Sequence, residues 1–274
     1  MSAALRDSLG IAASYVFVFG FIGIATVLMR RRVLAPAVTR KVIHIGVAHW
    51  WLIAMALMDD PWVASVGPAS FIIINALAIR FRLLPAMDEG ADARNLGTVY
   101  FPVALLILVN LCWRGVVPVW VGGLAVLVLG WGDGLAAIVG EKWGSRKVDL
   151  QRDQIHGLRR TRRTGTGTPE RYSRTAFGPS ASSRTPVPWR GRIRLRGLGR
   201  KTVAGTAAMF GASFTVSLCF TVIFNSRFGT PAAAAGVSVL TAAAATVVEV
   251  LTPLGVDNIT VPLATALLYA GVFA

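Results

Sequence analysis

Eight runs of apolar residues divide the chain, near positions 9–29, 42–58, 62–79, 99–113, 116–138, 203–224, 232–250 and 259–274. Each run is nearly free of charge, and the polar residues are bunched between them. A spanning helix needs about 20 predominantly apolar residues, so the pattern predicts about seven to eight transmembrane helices. The runs at 42–58 and 99–113 are short for a span and require tilt or extension past those limits. Strands are not expected, because an open sheet edge leaves backbone groups unsatisfied in hydrocarbon. The predicted fold class is all-α: a polytopic integral membrane helix bundle, one domain over residues 1–274.

Composition agrees with the pattern. Hydrophobic residues make up 54% of the chain and charged residues 15%, against roughly 25% charged in ordinary soluble domains. The mean hydropathy is +0.61. The first run is too long for the core of a cleaved signal and ends in Arg30-Arg31-Arg32, so it reads as an anchor. Cys112 and Cys219 both lie in apolar runs, which argues against a disulfide framework and against a zinc site.

The formal net charge of +15 is concentrated in one place. Residues 151–200 hold 13 Arg, no Lys and only Asp153 and Glu170 as acids. Within this stretch, 151–191 is rich in Arg, Ser, Thr, Pro and Gly and has no apolar period. It is expected to be a basic, disordered cytoplasmic insertion, its arginines drawn to anionic lipid. Its aromatics are too sparse to suggest nucleic acid as a partner.

Basic residues between the runs set the orientation. With the N-terminus outside, the inner segments hold 25 Lys and Arg and the outer ones only Arg6, Arg114 and Arg227. Without the arginines of 151–200 the ratio is still 12 to 3. Both termini are therefore expected outside, in a bacterial-type cytoplasmic membrane. Arg40, Lys41, Asp133, Lys142, Lys201, Glu249, Asp257 and Asn258 then all fall at inner helix ends or adjoining loops. That is where a cytosolic nucleotide would meet them.

Four groups carry candidate chemistry. Arg40, Lys41 and His44 can share one face of the second run. The two cations could be a simple positive-inside flank, but His44 sits within apolar sequence. Asp133 follows Gly132 and precedes Gly134 and Gly140, with Lys142 next. Small residues let membrane helices approach, which accounts for the glycines but not for the acid. A carboxylate near hydrocarbon costs several kcal/mol by order of magnitude and is kept where it has a partner or a task. Holding Mg²⁺, a hard cation that takes carboxylate and phosphate oxygens, suits it.

Glycines beside it would let backbone amides approach an anion. Lys201-Thr202 and Gly205 open the sixth run. A lysine there opposes the helix dipole unless phosphate is bound. Glu249 closes the alanine-rich run with no sequence-local partner, and Asp257-Asn258 opens the last. Asp257 reads either as an N-cap or as a ligand of metal or acceptor hydroxyl. Asn95 and the stretch from Gly97 to Pro102 form a weaker group. No P-loop, Rossmann fingerprint, protein-kinase set, zinc-protease or nucleophile-elbow motif occurs.

Taken in order, Arg40-Lys41-x-x-His44, Gly97-Thr98-x-Tyr100, Gly132-Asp133-Gly-Leu-Ala-Ala-x-x-Gly140, Lys201-Thr202-x-x-Gly205-Thr206 and Glu249…Asp257-Asn258-x-Thr260-x-Pro262 resemble the phytol kinase, dolichol kinase and CTP-dependent diacylglycerol kinase family. The resemblance covers about 38–146 and 194–265. It implies a polytopic phosphotransferase that moves the γ-phosphate of CTP, or a related nucleotide, to the hydroxyl of a lipid alcohol with a divalent cation. On that reading Asp133, Lys201 and Asp257 are catalytic, with Asp133 and Asp257 as metal ligands. Arg40, Lys41, Lys142, Thr202 and the glycines 132, 134, 140 and 205 hold nucleotide phosphates, with His44, Glu249 and Asn258 as further candidates. Two features depart from the family pattern: some forty extra residues before Lys201, and Ala204 where a glutamate is usual.

The Gly-Asp and Lys-Thr blocks also resemble phosphatidate cytidylyltransferases, which make a CDP-lipid. The late element here lacks their arginine, which favours the kinase. A transporter would place charges at mid-membrane and show paired hydropathy halves, and neither is present.

Overall fold

The computed structural model describes residues 2–81, 97–146, 201–224, 230–253 and 255–273. Their regular structure is helical: α1 (Ala3–Arg30), α2 (Pro36–Ala48), α3 (Trp50–Leu57), α4 (Pro61–Phe81), α5 (Gly97–Trp113), α6 (Val119–Trp143), α7 (Val203–Phe224), α8 (Pro231–Leu251) and α9 (Asp257–Phe273). The all-α bundle expected from hydropathy is the one that forms. Five helices, α1, α4, α6, α7 and α8, are long and apolar enough to cross a membrane. The predicted disordered insertion at 151–191 lies outside the described residues, as does Asn95.

One predicted run differs in detail. The run at 42–58 begins earlier, at Pro36, and is split at His49. Pro36 suits the first helical position, where its missing N–H would have no partner anyway. At the split, the His49 N–H bonds Gly46 O at 3.0 Å, and the Leu52 N–H bonds His49 O at 3.0 Å. These three-residue steps tighten the helix for one turn before it continues as α3. The short run at 99–113 stays short as α5, with 17 residues.

Helix starts carry the caps their sequence offers. Asp60 Oδ1 accepts from Trp62 N at 2.6 Å and from Val63 N at 3.2 Å at the head of α4. Thr202 Oγ1 accepts from Gly205 N at 3.1 Å at α7, and Thr230 Oγ1 from Ala233 N at 3.3 Å at α8. Each satisfies an N–H that the helix itself leaves open.

The bundle is built around α6, the most enclosed of the five long helices. Its glycines let neighbours close in. A side chain on Gly132 would strike Met209 of α7, one on Gly134 would strike Ile45 of α2, and one on Gly130 would strike Ala48. Trp51 lies over Gly122 and Gly123 and donates its indole N–H to Val119 O at 2.9 Å. Beyond α6, buried hydroxyls join α7 to α9. Tyr269 OH meets Ser217 Oγ at 3.2 Å and also Thr221 Oγ1. By contrast, α1 and α4 turn large side chains such as Val16 and Ile73 outward, as a lipid-facing surface requires. The Val203 N–H bonds Arg146 O at 3.0 Å, so the chain returns to α7 beside the place where it left α6.

Candidate active site

The site is assembled from four helix ends and one helix interior. Lys41 and His44 stand three residues apart on α2 and face α6, where Asp133 lies in the helix interior and not at the helix end that the sequence predicts, because α6 continues past its apolar run to Trp143. Lys41 Nζ pairs with Asp133 Oδ2 at 2.9 Å, and His44 Nε2 lies 3.8 Å from the same oxygen. The His44 ring packs on Phe101 of α5, with centroids 4.8 Å apart, and its Nε2 is buried with no hydrogen-bond partner.

A second cluster abuts the first. Lys201, just ahead of α7, pairs with Glu249 Oε1 near the end of α8 at 2.6 Å and also donates to Glu249 O. Asp257 Oδ2, on the first residue of α9, lies 3.8 Å from the same ammonium. Asp257 is aimed by its own turn. Its Oδ1 accepts from Gly255 N at 3.1 Å and from Asn258 N at 3.0 Å, which leaves Oδ2 to face Lys201. Gly255 holds φ at 91°, a left-handed conformation that only glycine adopts without strain.

Asp133, Glu249 and Asp257 each offer a carboxylate oxygen, and the three oxygens lie within 4.8 Å of one another. Glu249 and Asp257 are buried. Like charges this close repel, and buried charge must be compensated. Lys41 and Lys201 compensate two of the three formal charges. Among the described residues, the third carboxylate and the all-oxygen donor set fit a hard divalent cation.

The other predicted residues divide between the site and its surroundings. Arg40 and Asn258 line a cavity that reaches Asp133, together with Gly97 and Thr98. Asn258 Oδ1 is buried without a partner. Lys142 is set elsewhere: nine residues beyond Asp133, it lies on the opposite face of α6, exposed, with its ammonium 4.7 Å from the Trp143 ring centroid. Gly132 and Gly134 turn their open sides to α7 and α2. Gly140, Thr202 and Gly205 meet one another where α6 crosses α7.

Sequence reasoning left Glu249 isolated because its partner Lys201 is 48 positions away. It passed over Asn75, whose amide donates to Thr98 O at 2.8 Å on the cavity wall. A lone Asn within an apolar run was the available signal.

The phytol kinase of Synechocystis sp. (strain ATCC 27184 / PCC 6803 / Kazusa) is 30% identical over 269 residues, covering 98% of this chain and 92% of that protein. The chain belongs to the phytol kinase family. Two plant proteins are also similar. "Probable phytol kinase 2, chloroplastic" of Glycine max is 25% identical over 245 residues, covering 88% of this chain and 67% of its own length. "Probable phytol kinase, chloroplastic" of Triticum aestivum is 25% identical over 256 residues, covering 88% and 69%. No protein-family model matches the chain, and no solved structure matches it. Membership of the phytol kinase family makes the chain a phosphotransferase with an alcohol acceptor, the class that the motif resemblance implied.

Proposed function

We propose that the protein transfers the γ-phosphoryl group of CTP, or a related nucleoside triphosphate, to the hydroxyl of phytol or another prenol at the cytoplasmic face of its membrane. The supporting observation is that the three clustered carboxylates meet the polar end of an apolar cavity, Asp133 belonging to both. A nucleotide needs the charged cluster and a lipid alcohol needs the cavity. CTP as donor follows the motif resemblance.

Phosphoryl transfer is mostly positioning and charge neutralisation. Asp133, Glu249 and Asp257 would hold Mg²⁺, which when bound neutralises phosphate charge and draws triphosphate oxygens to the site. Lys41 and Lys201 stand against these carboxylates and would neutralise phosphate oxygens. His44 Nε2 and Asn258 Oδ1, buried and unpaired, are free to accept the acceptor hydroxyl's hydrogen bond. Water is kept from the transfer by the apolar walls that Phe101 and its neighbours supply.

The test supplies purified protein with γ-labelled CTP, UTP or ATP, Mg²⁺ and phytol, farnesol or diacylglycerol in turn. The expected result is label in the prenol, strongest with CTP. Label only in diacylglycerol, or no lipid label while phosphatidate becomes a CDP-lipid, would overturn the reading.

A further inference from the structure

The cavity that reaches Asp133 has a volume of about 160 Å³ and runs between α1, α2, α4 and α5. Its character changes along its length. Arg40, Lys41, His44, Asp133 and Asn258 line one end. The middle is apolar, walled by Val18, Ile22, Val47, Phe101 and Leu105. Trp50 lies at the far end, nine residues past Lys41 and so about 13 Å along the helix direction. A volume of this size spread over that depth admits one hydrocarbon chain and not two side by side.

The far end is closed by contacts that tie three helices together. The Trp50 indole N–H donates to Ser14 Oγ of α1 at 2.8 Å, and Ser14 Oγ donates in turn to Gly10 O at 2.6 Å. On the other side, Gly67 of α4 lies against the Trp50 ring, where an added Cβ would rest 3.4 Å away. Tyr15 OH and Ser70 Oγ, 2.8 Å apart, join α1 to α4 at the same level. A tryptophan bonded on one side, packed on the other and 3% exposed is a fixed wall.

We propose that this cavity seats the head-proximal part of a single isoprenoid chain, with its hydroxyl at Asp133, and that Trp50 is the stop that sets how much of the chain is read. The proposal rests on the kinase reading above and adds the specificity residue. Lipid is as apolar as the cavity, so a chain gains little hydrophobic energy by leaving the bilayer. Discrimination comes instead from dispersion contact along the wall and from collision with the stop. A chain reaching Trp50 makes every contact available, and a longer one must bend away before it.

The test measures kcat/KM for geraniol, farnesol and geranylgeraniol, alcohols that differ by one isoprene unit, on the full-length protein. Two variants move the wall in opposite directions. Trp50→Leu deepens the cavity. Val18→Phe puts a new obstruction one helical turn nearer the hydroxyl than Ser14. Trp50→Leu should raise the long-to-short ratio by about tenfold, and Val18→Phe should lower it by a similar factor, the scale of methylene-sized pocket changes. If Trp50→Leu does not fold, the Val18→Phe ratio decides alone. A ratio unmoved from wild type, with wild type active on the prenols, overturns the stop and leaves the kinase reading standing. A wild type that phosphorylates none of these alcohols overturns the kinase reading itself, and the stop with it.

Discussion

Asp133 sits ten residues short of the end of α6, about 15 Å inside the helix terminus. Lys41, with its ammonium 2.9 Å from Oδ2, is the partner that makes its charge tolerable. Asp133→Asn keeps the shape and removes the charge. It should lower turnover by about 10²-fold or more, the scale of losing one preorganised charge-stabilising group, while membrane insertion and thermal unfolding stay near wild type. Turnover within a few-fold of wild type would show that Asp133 is not a ligand of the reacting groups.

The Lys201–Glu249 pair calls for a different measurement. Breaking a buried pair by removing one partner costs about 3–5 kcal/mol, whereas replacing both can cost little. Glu249→Gln and Lys201→Met should each lower the thermal midpoint sharply, and the double variant should lower it by less than their sum. Additive losses would mean that the pair is not coupled. Asp133, Lys201 and Asp257 were legible in the sequence because charge inside or beside an apolar run is conspicuous. The Glu249 partnership was not, since helical periodicity says nothing about residues 48 apart. Ser14 and Trp50 looked like ordinary residues of apolar runs until three helices closed around them.

At the level of elements, each of the eight apolar runs coincides with helix, the run at 42–58 with two, and five of the helices are long and apolar enough to cross a membrane. Hydropathy could not place the break at His49. That break depends on two three-residue hydrogen bonds and not on composition. Nor could it divide glycines that serve a ligand from glycines that serve packing. The structure shows how Gly205 packs: a Cβ there would come 2.7 Å from Ala136 O, a backbone atom of α6 that cannot swing aside. Gly205→Ala should therefore push α7 from α6 and cost about 1–3 kcal/mol, the usual scale of overpacking. Gly211→Ala, on the same helix with nothing within 4 Å, should be neutral or slightly stabilising, since alanine is the better helix former. Thermal unfolding of the two variants in one detergent makes the comparison. Equal midpoints would remove the packing role from Gly205 and return it to the phosphate-binding candidates.

Across the whole molecule, chain direction and charge make the same demand. The clustered side chains come from the start of α2, the threshold of α7, the end of α8 and the start of α9. Helices that alternate in direction bring those ends to one side. On the topology that the sequence predicts, the basic residues belong to that side, 12 to 3 even without the arginines of 151–200. Positive charge is retained on the cytoplasmic side of a membrane, which is also where nucleotide is found. A site facing the other way would have to draw its phosphoryl donor from a compartment that lacks it. Single-cysteine variants test this directly, after Cys112 and Cys219 are replaced. Ser8 near the start of α1 and Ser145 just past α6 are both exposed and lie toward opposite ends of the bundle. In intact cells an impermeant thiol reagent should label Ser8→Cys and spare Ser145→Cys, and opening the cells should expose the second. The reverse pattern would put the carboxylates outside. The kinase reading would then lose its source of nucleotide, however well the three acids fit a metal.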